Sequence, residues 1–215
     1  MPLIVRPMRE EDIVPSLKVQ HAAFSTGRIG KLLDPSPVPT PEFLSGSKQS
    51  RLETMQTNKA ARFMLVEDTD AGAIIAAAHW DIYPEERTAE QVEKLCHKSA
   101  PPPGSNAALW RDFFGHFADS RRALGTRPIA VLHTLVTDPA YQGRGAGKML
   151  LQDFTKEVDE AGLEGYLEAS AVARPLYAKF GFVPEFEKEF DLSKYSNESG
   201  LDINTVMLRP AKASA

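Results

Sequence analysis

The feature that most constrains this chain lies late in it. Ile129 to Thr137, rich in valine, leucine and threonine, runs through Asp138-Pro139 into the loop Gln142-Gly143-Arg144-Gly145-Ala146-Gly147. Met149, Leu150, Phe154 and Val158 follow at helical spacing, and Gly162 stands where that helix should stop. The pattern predicts a buried strand, a glycine-rich turn and an amphipathic helix. Glycines remove side chains, so backbone N–H groups can converge, and the helix N-terminus adds partial positive charge. Such a turn suits a phosphate or pyrophosphate. The spacing narrows the choice. A phosphate-binding loop of the Walker type needs Gly-Lys-Ser/Thr, but Gly147-Lys148 is followed by Met149. The dinucleotide fingerprint needs Gly-x-Gly-x-x-Gly, and here the third glycine comes one residue early. A tight strand-to-helix turn with no ligand is the plain alternative.

Around this core the chain reads as alternating strands and helices. Leu3 to Arg6 form a first strand stopped by Pro7. Ile13, Leu17 and Phe24 then mark a helix with Glu10, Glu11 and Asp12 at its start. Residues 27–41, broken by Gly27, Gly30 and four prolines, predict a long loop. A second helix is expected over about 42–58. Arg62 to Glu67 and Ala73 to Trp80 predict a hairpin. Residues 84–128 predict two helices, one with Val92 and Leu95 and one with Leu109, Phe113 and Phe117, separated by Pro101-Pro102-Pro103-Gly104. Leu163 to Ala169 read as a strand, Pro175 to Phe180 as a short helix, and Phe182 to Leu192 and Asp202 to Leu208 as two last strands. The expected architecture is a single domain over 1–215 with a helical insertion at about 84–128. Its fold class is α/β (α+β), with a mixed, mostly antiparallel sheet of about seven strands flanked by helices.

The loop Gln142 to Gly147 resembles the Gln/Arg-x-x-Gly-x-Gly/Ala loop of the GNAT N-acetyltransferase superfamily. Val136-Thr137-Asp138-Pro139-Ala140-Tyr141 is similar to that family's lead-in, and Leu176-Tyr177-Ala178-Lys179-Phe180-Gly181-Phe182 to its Leu-Tyr-x-x-x-Gly-Phe signature. The likeness is close over 129–190, weaker over 3–80, and says little about 84–128. It implies an enzyme that moves the acetyl group of acetyl-CoA directly to a primary amine through a tetrahedral intermediate, leaving CoA. By motif match, the backbone of Gln142, Gly143, Arg144, Gly145, Ala146 and Gly147, with Lys148 in the first helical turn, would cradle the pyrophosphate. Leu135, Val136 and Thr137 would pair with the pantetheine arm. Tyr177 matches the tyrosine that protonates the CoA thiolate in many members, and a phenol holds its proton at neutral pH. Its plain alternative is a core tyrosine. Where many relatives carry Asn seven residues earlier, this chain has Ser170, which has a shorter reach.

A general base is not marked. His133 on the central strand and Glu168 on the next are the candidates, each with a structural alternative, and in some members solvent does this work. The acceptor reads as a small-molecule amine, with a protein N-terminus, a lysine side chain, or a non-catalytic acyl-CoA-binding module as alternatives. The aromatic helix of residues 84–128 (Leu109, Trp110, Phe113, Phe114, Phe117) either lines the acceptor pocket or is core.

The remaining composition excludes other classes. The net charge of −4 argues against nucleic acid as a partner. No stretch approaches the ~20 apolar residues of a membrane span. One cysteine, Cys96, allows no internal disulfide, and no signal-peptide core is seen, so a cytoplasmic or nucleocytoplasmic protein is expected. His21, His79, His97 and His116 show no metal-ligand spacing, so no metal is expected. A homodimer fits the resemblance, although no interface is marked.

Overall fold

The computed structural model describes residues 2–96, 100–102 and 104–212, so the readings at His97 and Pro103 lie outside the described residues. Seven strands form one sheet: β1 (Leu3–Pro7), β2 (Ala61–Asp68), β3 (Ala73–Tyr83), β4 (Ile129–Thr137), β5 (Gly165–Ser170), β6 (Val183–Asp191) and β7 (Leu201–Arg209). Their spatial order is β1-β2-β3-β4-β5-β7-β6. All neighbours are antiparallel except β4 and β5. The parallel pair is the one joined by a crossover helix, α6 (Ala146–Glu160), as parallel strands require.

Two faces cover the sheet. On one, α6 buries Leu150, Leu151, Phe154 and Val158 against Trp80, Leu132 and Leu167, joined by Tyr177 and Phe182 from the segment around α7 (Arg174–Ala178). On the other, α1 (Ile13–Phe24) buries Ile13, Leu17 and Val19 against Phe63, Leu65, Ala77 and Val136, with Leu44, Leu52 and Met55 of α3 (Pro41–Thr57) packed outside. The segment between β3 and β4 holds α4 (Ala89–Leu95) and α5 (Ala107–Ala123). Thr88 caps α4 and Asn106 caps α5 through their side-chain oxygens.

One expectation is corrected. Residues 27–41 are not a continuous loop, because Arg28–Leu33 form the helix α2. Its Ile29 and Leu33 are buried against Leu109, Phe190 and Leu192. Gly30, read as a breaker, is there for contact: a Cβ at this position would lie 1.9 Å from the Phe24 carbonyl oxygen. Trp110, Phe113 and Phe114 of α5 pack on the same cluster, and Phe113 meets Phe190 at 5.4 Å between ring centres. These rings serve as a second small core beneath α2. Among the described residues, no helix is long and apolar enough to cross a membrane.

Candidate active site at the splayed strand pair

The site begins where β4 and β5 part. They pair only at Ala130↔Gly165, Val131↔Tyr166 and Leu132↔Leu167. Beyond Leu132, β4 keeps its β3 partners, with Leu135 opposite Ala78, Val136 opposite Ala77 and Thr137 opposite Ala76. Its other edge has no strand partner among the described residues. The register on the β3 side slips at the same point: Trp80 faces Leu132 and His79 faces Thr134, so His133 is the extra residue of a bulge. A bulge re-aims a side chain and ends regular pairing. The edge of His133 to Thr137 is thus open to another extended chain.

The glycine loop stands at the end of this open edge. Gly143 and Gly145 have φ of 78° and 88°, a region that residues with a Cβ rarely adopt. Gly145 is the N-cap of α6 and offers no side chain, and Met149 donates its N–H to the Gly145 carbonyl. The earlier N–H groups of this first turn have no partner four residues back in the helix, and no side chain caps them. Gly147 fits closely, since a Cβ there would meet Leu135 and Thr137 at 3.4 Å. Gln142, Gly143, Gly145 and Lys148 are exposed, so the turn is accessible. The Arg144 side chain turns away. It pairs at 2.7 Å with buried Asp68 of β2 and lies over the Tyr141 ring, so it ties the loop to the β2–β3 hairpin and leaves the backbone facing outward.

Tyr177 is 5% exposed, and among the described residues its hydroxyl makes no hydrogen bond. Burial pushes its pKa above the ordinary phenol value, with the Glu168 charge adding to the shift, so it holds its proton throughout the neutral range. Ser170 ends β5, exposed, and its Oγ accepts from the Ala173 N–H at 3.4 Å. Glu168 lies across the splay from His133. Its side chain is 2% exposed, and both of its oxygens are held by the Arg121 fork of α5 at 2.7 and 3.0 Å. The Tyr166 hydroxyl donates to it as well, at 3.0 Å. A carboxylate so engaged fastens α5 to the lip of the splay. As a general base it would first have to give up these bonds.

His133 projects to the α1 side of the sheet and joins two residues that the sequence reading had not grouped with it. Its Nε2 is 3.1 Å from Asp81 Oδ2, and the His79 Nε2 is 3.4 Å from Asp81 Oδ1. The rings of Phe63, His79 and His133 stack in order at 4.1 and 4.6 Å. Asp81 also accepts from Tyr83 and Asn58. Burial lowers the His79 pKa to about 4, so that ring is neutral at pH 7. His79 and Asp81 sit two apart on β3 and therefore share a face, a signal present in the sequence. What was missing was the β3–β4 register that brings His133 to them.

Residues 113–192 match the family model described as Acetyltransferase (GNAT) domain. No curated protein matches the chain in sequence at a significant level. Solved structures share its fold over nearly the whole length. The chain is similar to arylalkylamine N-acetyltransferase 2 of Aedes aegypti, with 12% identity, a TM-score of 0.71, and 99% of this chain and 100% of that one covered. A Corynebacterium glutamicum protein described as histone acetyltransferase HPA2 and related acetyltransferase gives 21% identity and a TM-score of 0.60, covering 100% and 99%. The PaiA N-acetyltransferase of Thermoplasma acidophilum, solved with coenzyme A, gives 17% and 0.55, covering 98% and 99%. At these identities the likeness is one of fold.

Proposed function

We propose that this chain, an acyltransferase with the GNAT fold and a GNAT domain match over residues 113–192, moves the acetyl group of acetyl-CoA directly to the primary amine of a small molecule. The observation that carries this reading is the half-paired strand. β4 is hydrogen-bonded on one edge only from His133 onward, and the uncapped first turn of α6 stands at its end. An extended pantetheine arm fits the open edge as an added strand, and the free N–H groups of residues 145–148 suit the pyrophosphate. Acetyl-CoA would supply the activated thioester when bound.

The rest is the work of this chain's own groups. A backbone N–H of Leu135, Val136 or Thr137 on the open edge polarises the thioester carbonyl and stabilises the oxyanion that develops on it. Tyr177, neutral and without a hydrogen-bond partner among the described residues, is available to protonate the departing sulfur. Deprotonation of the amine is left to water reaching the α1 side of the splay, because Glu168 is held by Arg121 and the His133 Nε2 is buried against Asp81. The small-molecule preference rests on cover. The Arg121–Glu168 pair fastens α5 beside the open edge, and α2 packs on α5. Helices so placed beside the edge suit a bounded pocket, whereas an extended peptide needs an open groove. A protein acceptor remains the second reading, and an Aedes aegypti arylalkylamine enzyme and a histone acetyltransferase-related protein share this fold.

The test is free-thiol release from acetyl-CoA with a panel of small amines and of peptides with free N-termini or lysines. Release that depends on a small amine supports the reading. Release with peptides alone would move the acceptor to the protein class.

A further inference from the structure

Beside the open edge, the cluster His79, Asp81 and His133 places two imidazoles on one carboxylate at hydrogen-bond distance but in poor hydrogen-bond alignment. Two buried imidazole Nε2 atoms face one carboxylate at 3.4 and 3.1 Å, yet neither has a hydrogen-bond partner. In an ordinary His–Asp–His trio each ring would turn its N–H along the line to the oxygen, because a buried nitrogen without a partner is costly. Here one donor atom from each residue lies within 4.8 Å of the other two. For a tetrahedral ion with bonds of about 2.0–2.1 Å to nitrogen and oxygen, neighbouring donor atoms are about 3.3 Å apart. His79 Nε2 lies 3.4 Å from Asp81 Oδ1 and His133 Nε2 3.1 Å from Asp81 Oδ2, each near that value but to different oxygens, so a bound ion would draw one oxygen and the two nitrogens closer together.

We propose that His79, Asp81 and His133 bind one divalent transition-metal ion, with Zn²⁺ the ion that the donor set suits best. Two imidazoles and one carboxylate are a zinc-type set, whereas calcium or magnesium would call for oxygen ligands. The surroundings fit as well. Asp81 Oδ2 accepts from the Tyr83 hydroxyl at 2.8 Å and Oδ1 from the Asn58 amide at 3.2 Å. Bonds of this kind orient a ligating carboxylate and leave each oxygen a further lone pair. Phe63 stacks on His79 and holds its ring. The nearby Arg51 guanidinium lies 5.8 Å from the centre of the Phe63 ring and is hydrogen-bonded to Ser16 and Gln20.

Three protein ligands leave a fourth position. The side chains of His79 and His133 are 21% and 13% exposed, while their Nε2 atoms are buried. Because His133 is the bulge residue where β4 leaves β5, the site lies beside the splay, on its α1 side. The site requires no particular reading of the acceptor.

The experiment uses the full chain, stripped with a chelator, dialysed, and titrated with Zn²⁺ against a chromogenic chelator and with Co²⁺ by visible absorption. The expected result is one equivalent of Zn²⁺ bound and an intense tetrahedral Co²⁺ spectrum. Loss of an outer-sphere partner alone weakens metal sites by 10–100-fold, so His79→Gln and Asp81→Asn should each weaken binding by about 100-fold or more, and Asn58→Ala by about ten-fold. Circular dichroism and the thermal shift with acetyl-CoA serve as folding controls. If one ligand variant fails these controls, the other decides. Absence of stoichiometric binding to the wild type overturns the proposal, and so does binding that persists in a folded variant of either ligand.

Discussion

The two faces of the sheet at the splay differ in what they are made of. The α6 side offers backbone: the open edge of β4, two glycines at positive φ and an uncapped helix start, all within the short run from His133 to Lys148. The α1 side offers side chains brought from distant places, with His79 and Asp81 from β3, His133 from β4, Glu168 from β5 and Arg121 from α5. The contrast teaches how each face can vary. A face built of backbone tolerates most side-chain changes and fails only where a glycine is required. A face built of converging side chains is sensitive at each member, and through Arg121 and Glu168 it depends on the segment between β3 and β4 staying docked.

The comparison is most easily broken at Gly145. Gly145→Glu puts a carboxylate into the uncapped turn and should abolish the rise in melting temperature that acetyl-CoA produces by binding only the native state. Gly145→Ala carries the same backbone strain without the charge and should keep a reduced shift. An unchanged shift in the Glu variant would remove the turn from the cofactor site. Next in size, on the side-chain face, Glu168→Gln leaves a buried guanidinium unpaired and should cost about 3 kcal/mol of stability. It should also expose residues 84–128 to limited proteolysis, and a wild-type cleavage pattern would mean that the ion pair is not what holds α5. Phe114→Ala should cost about 2 kcal/mol, because its ring is partly buried in the small core beneath α2. A raised KM for the amine in a fully stable Phe114→Ala protein would return this aromatic surface to the acceptor pocket. The smallest expected effect is on the chemistry. Tyr177→Phe keeps the packed ring and should lower turnover about ten-fold, or about 1.4 kcal/mol, with acetyl-CoA affinity intact. Equal turnover, with the chemical step shown to be limiting, would leave Tyr177 a core residue.

The same contrast explains what could be read from the chain. Ile129 to Thr137 was legible to the residue, because a buried strand with glycines after it has few other readings. The loop and the α6 stripe were legible for the same local reason, and Gly162 ends that helix at φ 66° as its position suggested. The mostly antiparallel sheet of seven strands followed from element order together with the family likeness. The helix α2 was missed because Gly27 and Gly30 count as breakers in sequence, while the reason for Gly30 is a contact with Phe24 that only the fold creates. Glu168 was placed on the correct strand, but its engagement depends on Arg121, 47 residues earlier. His79 was read as having no metal-ligand spacing, and its meeting with Asp81 and His133 depends on a bulged register, which no local pattern encodes.

The central claim is acetyl transfer to an amine at the half-paired strand, and direct measurement of product tests it. Wild-type protein, acetyl-CoA and the amine panel should yield equal amounts of free CoA and N-acetylated amine, detected by thiol assay and mass spectrometry, while Gly145→Glu yields neither. If the wild type binds acetyl-CoA yet forms no acetylated product with any small amine or peptide, the account is contradicted and the chain is a binding module.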